Sequence, residues 1–329
     1  IKTSASFRRQ LKPKGDLMSN YSKTTAIVGL GALGMLYASQ ITATLGPDNI
    51  YFLGDRERIE RYRQTPFSIN GKPFSFQIED CTKARPVDFL IVAVKYGALS
   101  SALDTMSASV GPDTTILSVM NGIDSEEIIA ERFGREKVLY CVAQGMDAMR
   151  FGSNLTYTRP GTLCLGTRTK GQESRLKDLT AYFDRAGISY TVEADIVKRL
   201  WGKFMLNVGI NQTCMAFETN YSGALAPGKP NDALIGAMKE VIDLSNKEGV
   251  GLSEADMDFY INLIKTLSPE GVPSMRQDGM ARRYSEVEMF SGAVRRLAAK
   301  HGLPVPVNDM LYEKIKNIEA AYPSLSHES

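Results

Sequence analysis

Residues 24–45, TTAIVGLGALGMLYASQITATL, constrain the fold of this chain more than any other stretch. A short β-rich apolar run stops at Gly29, and a helical pattern begins at Ala32. Between them Gly29, Gly31 and Gly34 are spaced G-x-G-x-x-G. A strand that turns this sharply into a helix presents the helix's free N–H groups and the positive end of its dipole beside a backbone without side chains. The first glycine permits the turn, the second lets a pyrophosphate approach, and the third lets helix and strand pack closely. Gly29, Gly31, Ala32, Leu33 and Gly34 are therefore candidate cofactor-binding residues, against the plainer reading of a tight turn alone.

The residues that follow keep the same rhythm. A strand is expected at 50–53, a charged helix at 55–64, a buried strand in DFLIVAVK (88–95), a helix at 98–107 and a strand in TTILSVMNG (114–122). Such alternation predicts a parallel sheet with helices on both faces. Within FSINGKPFSFQI, Asn70-Gly71 signals a type I′ hairpin. β-type runs recur at 138–143, 155–157, 162–165 and 189–192, with a helix at 173–185. After Asp195 the β signal stops. Helices are expected at 196–217, 234–248, 253–267 (N-capped by Ser253), 282–301 and 308–322, with 222–232 as a loop. The expected architecture is α/β, a Rossmann-type doubly wound parallel sheet followed by an all-helical C-terminal domain. Its expected divisions are an N-terminal extension over 1–22, a nucleotide-binding domain over 23–193 and a helical substrate domain over 194–329.

Charge and composition narrow the partner. Thirty-nine basic residues against 37 acidic ones leave a net charge of +2, with no basic stripe to suit nucleic acid or an anionic membrane. No apolar run reaches the roughly 18 to 20 residues of a membrane span. A small-molecule partner is expected, in a soluble protein. Cys81, Cys141, Cys164 and Cys214 form no C-x-x-C pair, which disfavours a zinc site or disulfide framework and suggests a reducing, cytoplasmic setting. No metal is expected. With only His301 and His327 present, an acid or base is expected from Lys, Glu or Asp. The basic segment before Thr24 lacks the apolar centre of a secretory signal and reads either as a targeting peptide or as an extension ahead of Met18. No exposed apolar stripe separates a dimer interface from an interdomain surface, so monomer and homodimer both stay open.

Four polar features stand out. In RLWGKFMLNVGINQTCMAF, Lys203, Asn207 and Asn211 recur at steps of four and share one face of an otherwise apolar helix. That stripe must meet solvent, protein groups or a ligand. Lys95 and Asn121 end apolar strands, on the rim where ligands bind open α/β sheets. Asp55 stands where an acid bonds the ribose of NAD, whereas Arg56 and Arg58 suit the 2′-phosphate of NADP; Asp55 is equally an N-cap. Glu286 lies among Val287, Met289 and Phe290 in an expected helix, either as a buried partner or on an exposed face.

Together these residues resemble the ketopantoate reductase (2-dehydropantoate 2-reductase) family, over most of the chain from about Thr24 to Tyr322. The glycine motif, Val94-Lys95, Asn121-Gly122, the K-x-x-x-N-x-x-x-N helix, Ser274-Met275 through Asp278, and Glu286 occur in the family's order. The resemblance implies NADPH-dependent reduction of 2-dehydropantoate to (R)-pantoate, with NADH as the alternative donor, on the route to pantothenate and coenzyme A. It implies Lys203 as general acid, with Glu286 also in the catalytic set. Asn207, Asn211 and Ser274 would hold the 2-oxo acid with Glu286, while Lys95 and Asn121 would line the cleft where nicotinamide and substrate meet. The chain departs from the family at Asp55, and at Met120, Pro273 and Ser291, where Gln, Ser and Asn are frequent. Another branched 2-oxo acid, or a non-catalytic NADPH sensor, are the alternative readings.

Overall fold

The computed structural model describes residues 23–322. It opens with strand β1 (Thr25–Val28), helix α1 (Ala32–Leu45), strand β2 (Ile50–Gly54) and helix α2 (Arg56–Arg63). The short strands β3 (Ser68–Ile69), β4 (Lys72–Pro73) and β5 (Ile78–Asp80) precede β6 (Phe89–Val92), α3 (Leu99–Met106), β7 (Thr115–Ser118), α4 (Ser125–Phe133) and β8 (Val138–Gln144). Then come β9 (Met149–Phe151), β10 (Asn154–Thr156), β11 (Thr162–Gly166), α5 (Glu173–Ala186) and β12 (Tyr190–Val192). The extension expected over 1–22, and His327, lie outside the described residues.

Eight strands form one sheet in the order β12-β11-β8-β7-β6-β1-β2-β5. The chain leaves β1 toward β2 on one side and returns to β6 on the other, so the topological switch point lies at the carboxyl ends Val28 and Val92. Ligands bind such sheets there. The apolar runs are continuous because both faces are covered. Ile27 and Ile91 pack with α1 and α5 through Met35, Leu36 and Phe183. Ala26, Val28 and Val92 point the other way, toward Leu99, Met106 and Ile129 of α3 and α4.

The sheet is parallel from β5 to β8. At β11, past the strand–helix alternation, it reverses, because β8 returns through the β9–β10 hairpin instead of a crossover helix. A second sheet runs β4-β3-β10-β9. Its β3–β4 turn has Asn70 at φ 49° and Gly71 at φ 77°, the left-handed pair a type I′ hairpin needs.

The remaining elements are helices: α6 (Ile196–Ala216), α7 (Tyr221–Leu225), α8 (Lys229–Lys247), α9 (Glu254–Lys265), α10 (Ser274–Met280), α11 (Ser291–His301) and α12 (Pro306–Ala320). Asp195 caps α6 by accepting from Lys198 N, and Ser253 and Asp256 form a reciprocal capping box on α9. Helix α6 forms the centre of this half, burying Phe204, Met205 and Val208 among Met238, Val241 and Phe290. Each such side chain contributes about 1.5–3 kcal/mol by leaving water.

Two helical expectations are corrected. Residues 222–232 are not simply a loop: α7 occupies part of them, and α8 starts at Lys229 with Pro230 in its first turn, where a missing N–H costs nothing. The helix expected over 282–301 begins only at Ser291. Ahead of it Arg282 adopts φ 50°, and Ser285 gives both its N–H and its hydroxyl to Glu319. Side chains thus satisfy this segment's polar groups in place of a helical ladder. Glu286 consequently stands in an irregular stretch before a single 3₁₀ turn, Val287–Met289. Among the described residues no helix is long and apolar enough to cross a membrane, and no cluster of His, Cys, Asp or Glu is arranged to hold a metal.

Candidate active site

The glycine loop leaves β1 at the switch point. Gly29 has φ +103°, and a Cβ there would lie 2.5 Å from Ala93 O; at Gly34 a Cβ would lie 2.0 Å from Gly29 O. Neither position admits a side chain. At Gly31 the nearest atom to a Cβ is 3.6 Å away, so that position is free of protein crowding. No side chain caps α1, which leaves its first N–H groups free. They face a cleft of about 450 Å³ that Gly29, Gly31, Ala32 and Leu33 line at one wall and Lys95, Asn121 and Glu286 at another. Gly34 lies behind that wall as a packing residue.

At the end of β2 the structure separates residues that the sequence grouped. Asp55 accepts from Arg58 N at 2.8 Å, and its other oxygen lies 3.6 Å from Arg58 Nε. It is the N-cap of α2 and lines no part of the cleft. Arg56 points into solvent beside Glu60 and lines no part of the cleft. Arg58 and Arg61, one turn apart on α2, line the cleft with Tyr62. Arg150 joins them from β9, donating to Leu30 O in the glycine loop and to Gly152 O at 2.7 Å. Burial lowers its pKa, and among the described residues no carboxylate pairs with it. The spacing of Arg58 and Arg61 was a signal available in sequence. Arg150 offered none, because a hairpin remote in sequence delivers it.

At the opposite end, Lys203 donates from Nζ to Asn121 Oδ1 at 2.8 Å and to Ala143 O at 2.5 Å. Burial pushes its ammonium down to about 8. Asn121 links this amine to the cleft it lines. One and two turns onward, Asn211 donates to Asn207 Oδ1 and accepts from Ser274 Oγ and Met275 N at 3.2 and 3.1 Å. The stripe therefore meets protein groups, and Asn207, Asn211 and Ser274 form one connected set outside the residues lining the glycine-loop cleft. Glu286 accepts from Tyr96 N at 3.3 Å, and burial raises its pKa while Lys95 and Lys203 oppose the rise. Lys95 pairs with Asp278 at 3.2 Å, which also takes Arg283 at 2.8 Å. Of the positions departing from the family pattern, Met120 lines the cleft, whereas Ser291 is buried against Gln212 and Asn308.

Two family models match the chain: "Ketopantoate reductase PanE/ApbA" over residues 25–168 and "Ketopantoate reductase PanE/ApbA C terminal" over residues 195–319. A 2-dehydropantoate 2-reductase of Aquifex aeolicus is 28% identical over 302 residues, covering 88% of this chain and 95% of that protein. Among solved structures, D-mandelate dehydrogenase with NADH and anilino(oxo)acetate superimposes with a TM-score of 0.81 at 20% identity, over 91% of this chain and 99% of that one. The 2-dehydropantoate 2-reductase of Geobacter metallireducens gives 0.76 at 24% identity, over 89% and 99% respectively.

Proposed function

This chain belongs to the ketopantoate reductase family, and from that premise we propose that it reduces 2-dehydropantoate to (R)-pantoate, a step toward pantothenate and coenzyme A, with NADPH preferred over NADH. On this reading residues 23–193 hold the dinucleotide and residues 194–329 contribute the groups that act on the oxo acid. The donor set fits a dinucleotide phosphate. An uncapped helix N-terminus and a side-chain-free loop suit the pyrophosphate. Arg58 and Arg61 suit a 2′-phosphate at the end of β2, where an acid turned to the cleft would repel it; Asp55 is instead engaged as a cap.

NADPH supplies the hydride for C2 of the oxo acid. The oxygen at that carbon then becomes an alkoxide, and a protonated Lys203 Nζ is the donor that neutralises it. The hydrogen bond from Nζ to Asn121 Oδ1 carries the proposal, because it brings a partly desolvated ammonium to the rim of the glycine-loop cleft. Asn207, Asn211 and Ser274 would orient the substrate's hydroxyl and carboxylate, and Glu286 would accept a hydroxyl proton. Incubation with NADPH and 2-dehydropantoate tests the reading directly: (R)-pantoate should accumulate in step with NADPH loss. Tight NADPH binding without oxidation by any 2-oxo acid would favour a sensor. Met120 in the cleft wall, where the family often has Gln, supports a second reading in which another branched 2-oxo acid is reduced by the same groups.

A further inference from the structure

Beneath the site lies a buried carboxyl that the chemistry above does not use. Strands β7 and β8 pair only at Ile116–Val138 and Leu117–Leu139, so the β7-facing edge of β8 is open beyond Leu139. Two groups approach that opened edge. Lys203 Nζ takes Ala143 O from α6, and Glu126, in the first turn of α4, lies near the N–H of Cys141, which favours its charged form against the larger opposing effect of burial. Cys141 and Ala143 are two residues apart on one strand, so their backbone groups face the same side.

Glu126 is 1% exposed, and its Oε1 is without a hydrogen-bond partner among the described residues. Its Oε2 accepts from Ser125 Oγ at 2.8 Å. Since that bond uses the only proton of Ser125, the 2.8 Å contact between Ser125 Oγ and Ser118 Oγ is donated by Ser118. Ser118 in turn accepts from Met120 N at 3.3 Å. Every donor in the chain Met120, Ser118, Ser125 points toward Glu126, and the chain begins one residue before Asn121, which holds Lys203. The polarity of this relay calls for an acceptor at its end.

We propose that Glu126 is a positioning residue for the reduction: its carboxylate, through Ser125 and Ser118, fixes the segment that presents Asn121 to Lys203. The inference rests on the proposed role of Lys203. The other groups facing the pair do not replace it. Glu127 is taken up by Arg135 at 2.6 Å and by Tyr140, burial keeps the Cys141 thiol protonated, and Arg199 opposes the charge of Lys203. Cys164 faces Lys203 from β11, and Glu286 faces it across the cleft.

The test is the pH profile of kcat/KM for the oxo acid at saturating NADPH, in wild type and Glu126→Gln. Loss of the carboxylate loosens the segment that holds Asn121 and removes one of the groups that favour the charged form of Lys203, so the alkaline limb should move to lower pH by about a few tenths of a unit, with NADPH affinity retained. Ser125→Ala, which deletes only a hydroxyl, should move the limb the same way by less, and it serves as the test if Glu126→Gln does not fold. A limb coincident with wild type in the folded variant overturns the inference. An active Lys203→Ala enzyme would instead overturn the reading of Lys203 on which it rests, so the two failures are distinct.

Discussion

Lys203 on α6 reaches across 2.8 Å to Asn121 at the end of β7, tying the helical half of the chain to the rim of the sheet. The bond to Ala143 O leaves the amine little freedom to turn elsewhere. If this amine is the proton donor, Lys203→Ala removes a general acid, and kcat should fall by about 10²–10⁴-fold. NADPH affinity, measured by fluorescence titration, should be unchanged, because the glycine loop and the arginines are untouched. Near-normal kcat would remove Lys203 from the mechanism.

The acidity of that amine sets a pH window. Burial holds Lys203 at about 8, and a general acid must be protonated to act, so kcat/KM should fall as pH rises through about 8. Below that value the lysine stays charged and imposes no limb. A profile with no descending limb up to about pH 9.5 would mean that the proton comes from elsewhere.

Cofactor preference should follow Arg58 and not Asp55. Charge-assisted hydrogen bonds of this kind are worth roughly 1.5–3 kcal/mol, so Arg58→Ala should weaken NADPH by about 10- to 100-fold and NADH much less. Asp55→Ala should cost about 1 kcal/mol of stability through the lost cap and leave the NADPH to NADH ratio in place. A changed ratio with unaltered melting would return Asp55 to the cofactor.

Much of this arrangement was legible in the sequence because it depends on local chemistry. The spacing of Gly29, Gly31 and Gly34, the hairpin at Asn70-Gly71 and the bounds of α1 follow from φ, sterics and periodicity over a few residues. The polar stripe on α6 was visible for the same reason, although its partners were not. Other features depended on tertiary competition. Periodicity alone places Glu286 in a helix, whereas the bonds from Ser285 to Glu319 hold this segment out of one, and the reversal at β11 depends on how β9 and β10 fold back. Arg150 and Glu126 carried no signal at all. One reaches the glycine loop from a distant hairpin, and the other is buried in the first turn of α4 by packing that no local pattern announces.

Glu126 also makes a stability prediction that is independent of turnover. Burial raises its carboxyl from 4.5 to about 7. The folded chain therefore binds more protons than the unfolded chain between those values, and stability contributed at low pH is lost as pH rises through the window. At pH 8 the penalty is about 3 kcal/mol. Glu126→Gln should therefore gain stability over wild type in urea melts at pH 8, and the gain should shrink toward pH 4.5. A difference that is the same at both ends of the window would mean that the carboxyl titrates normally.

The most direct test of the account is the steady-state kcat/KM for oxidation of NADPH, and separately NADH, by 2-dehydropantoate and by a panel of other branched and aromatic 2-oxo acids. The account predicts that 2-dehydropantoate with NADPH exceeds every other pair, and that Lys203→Ala lowers that rate by about 10²–10⁴-fold. A different acid at the head of the panel, or a rate that Lys203→Ala leaves near normal, would contradict it.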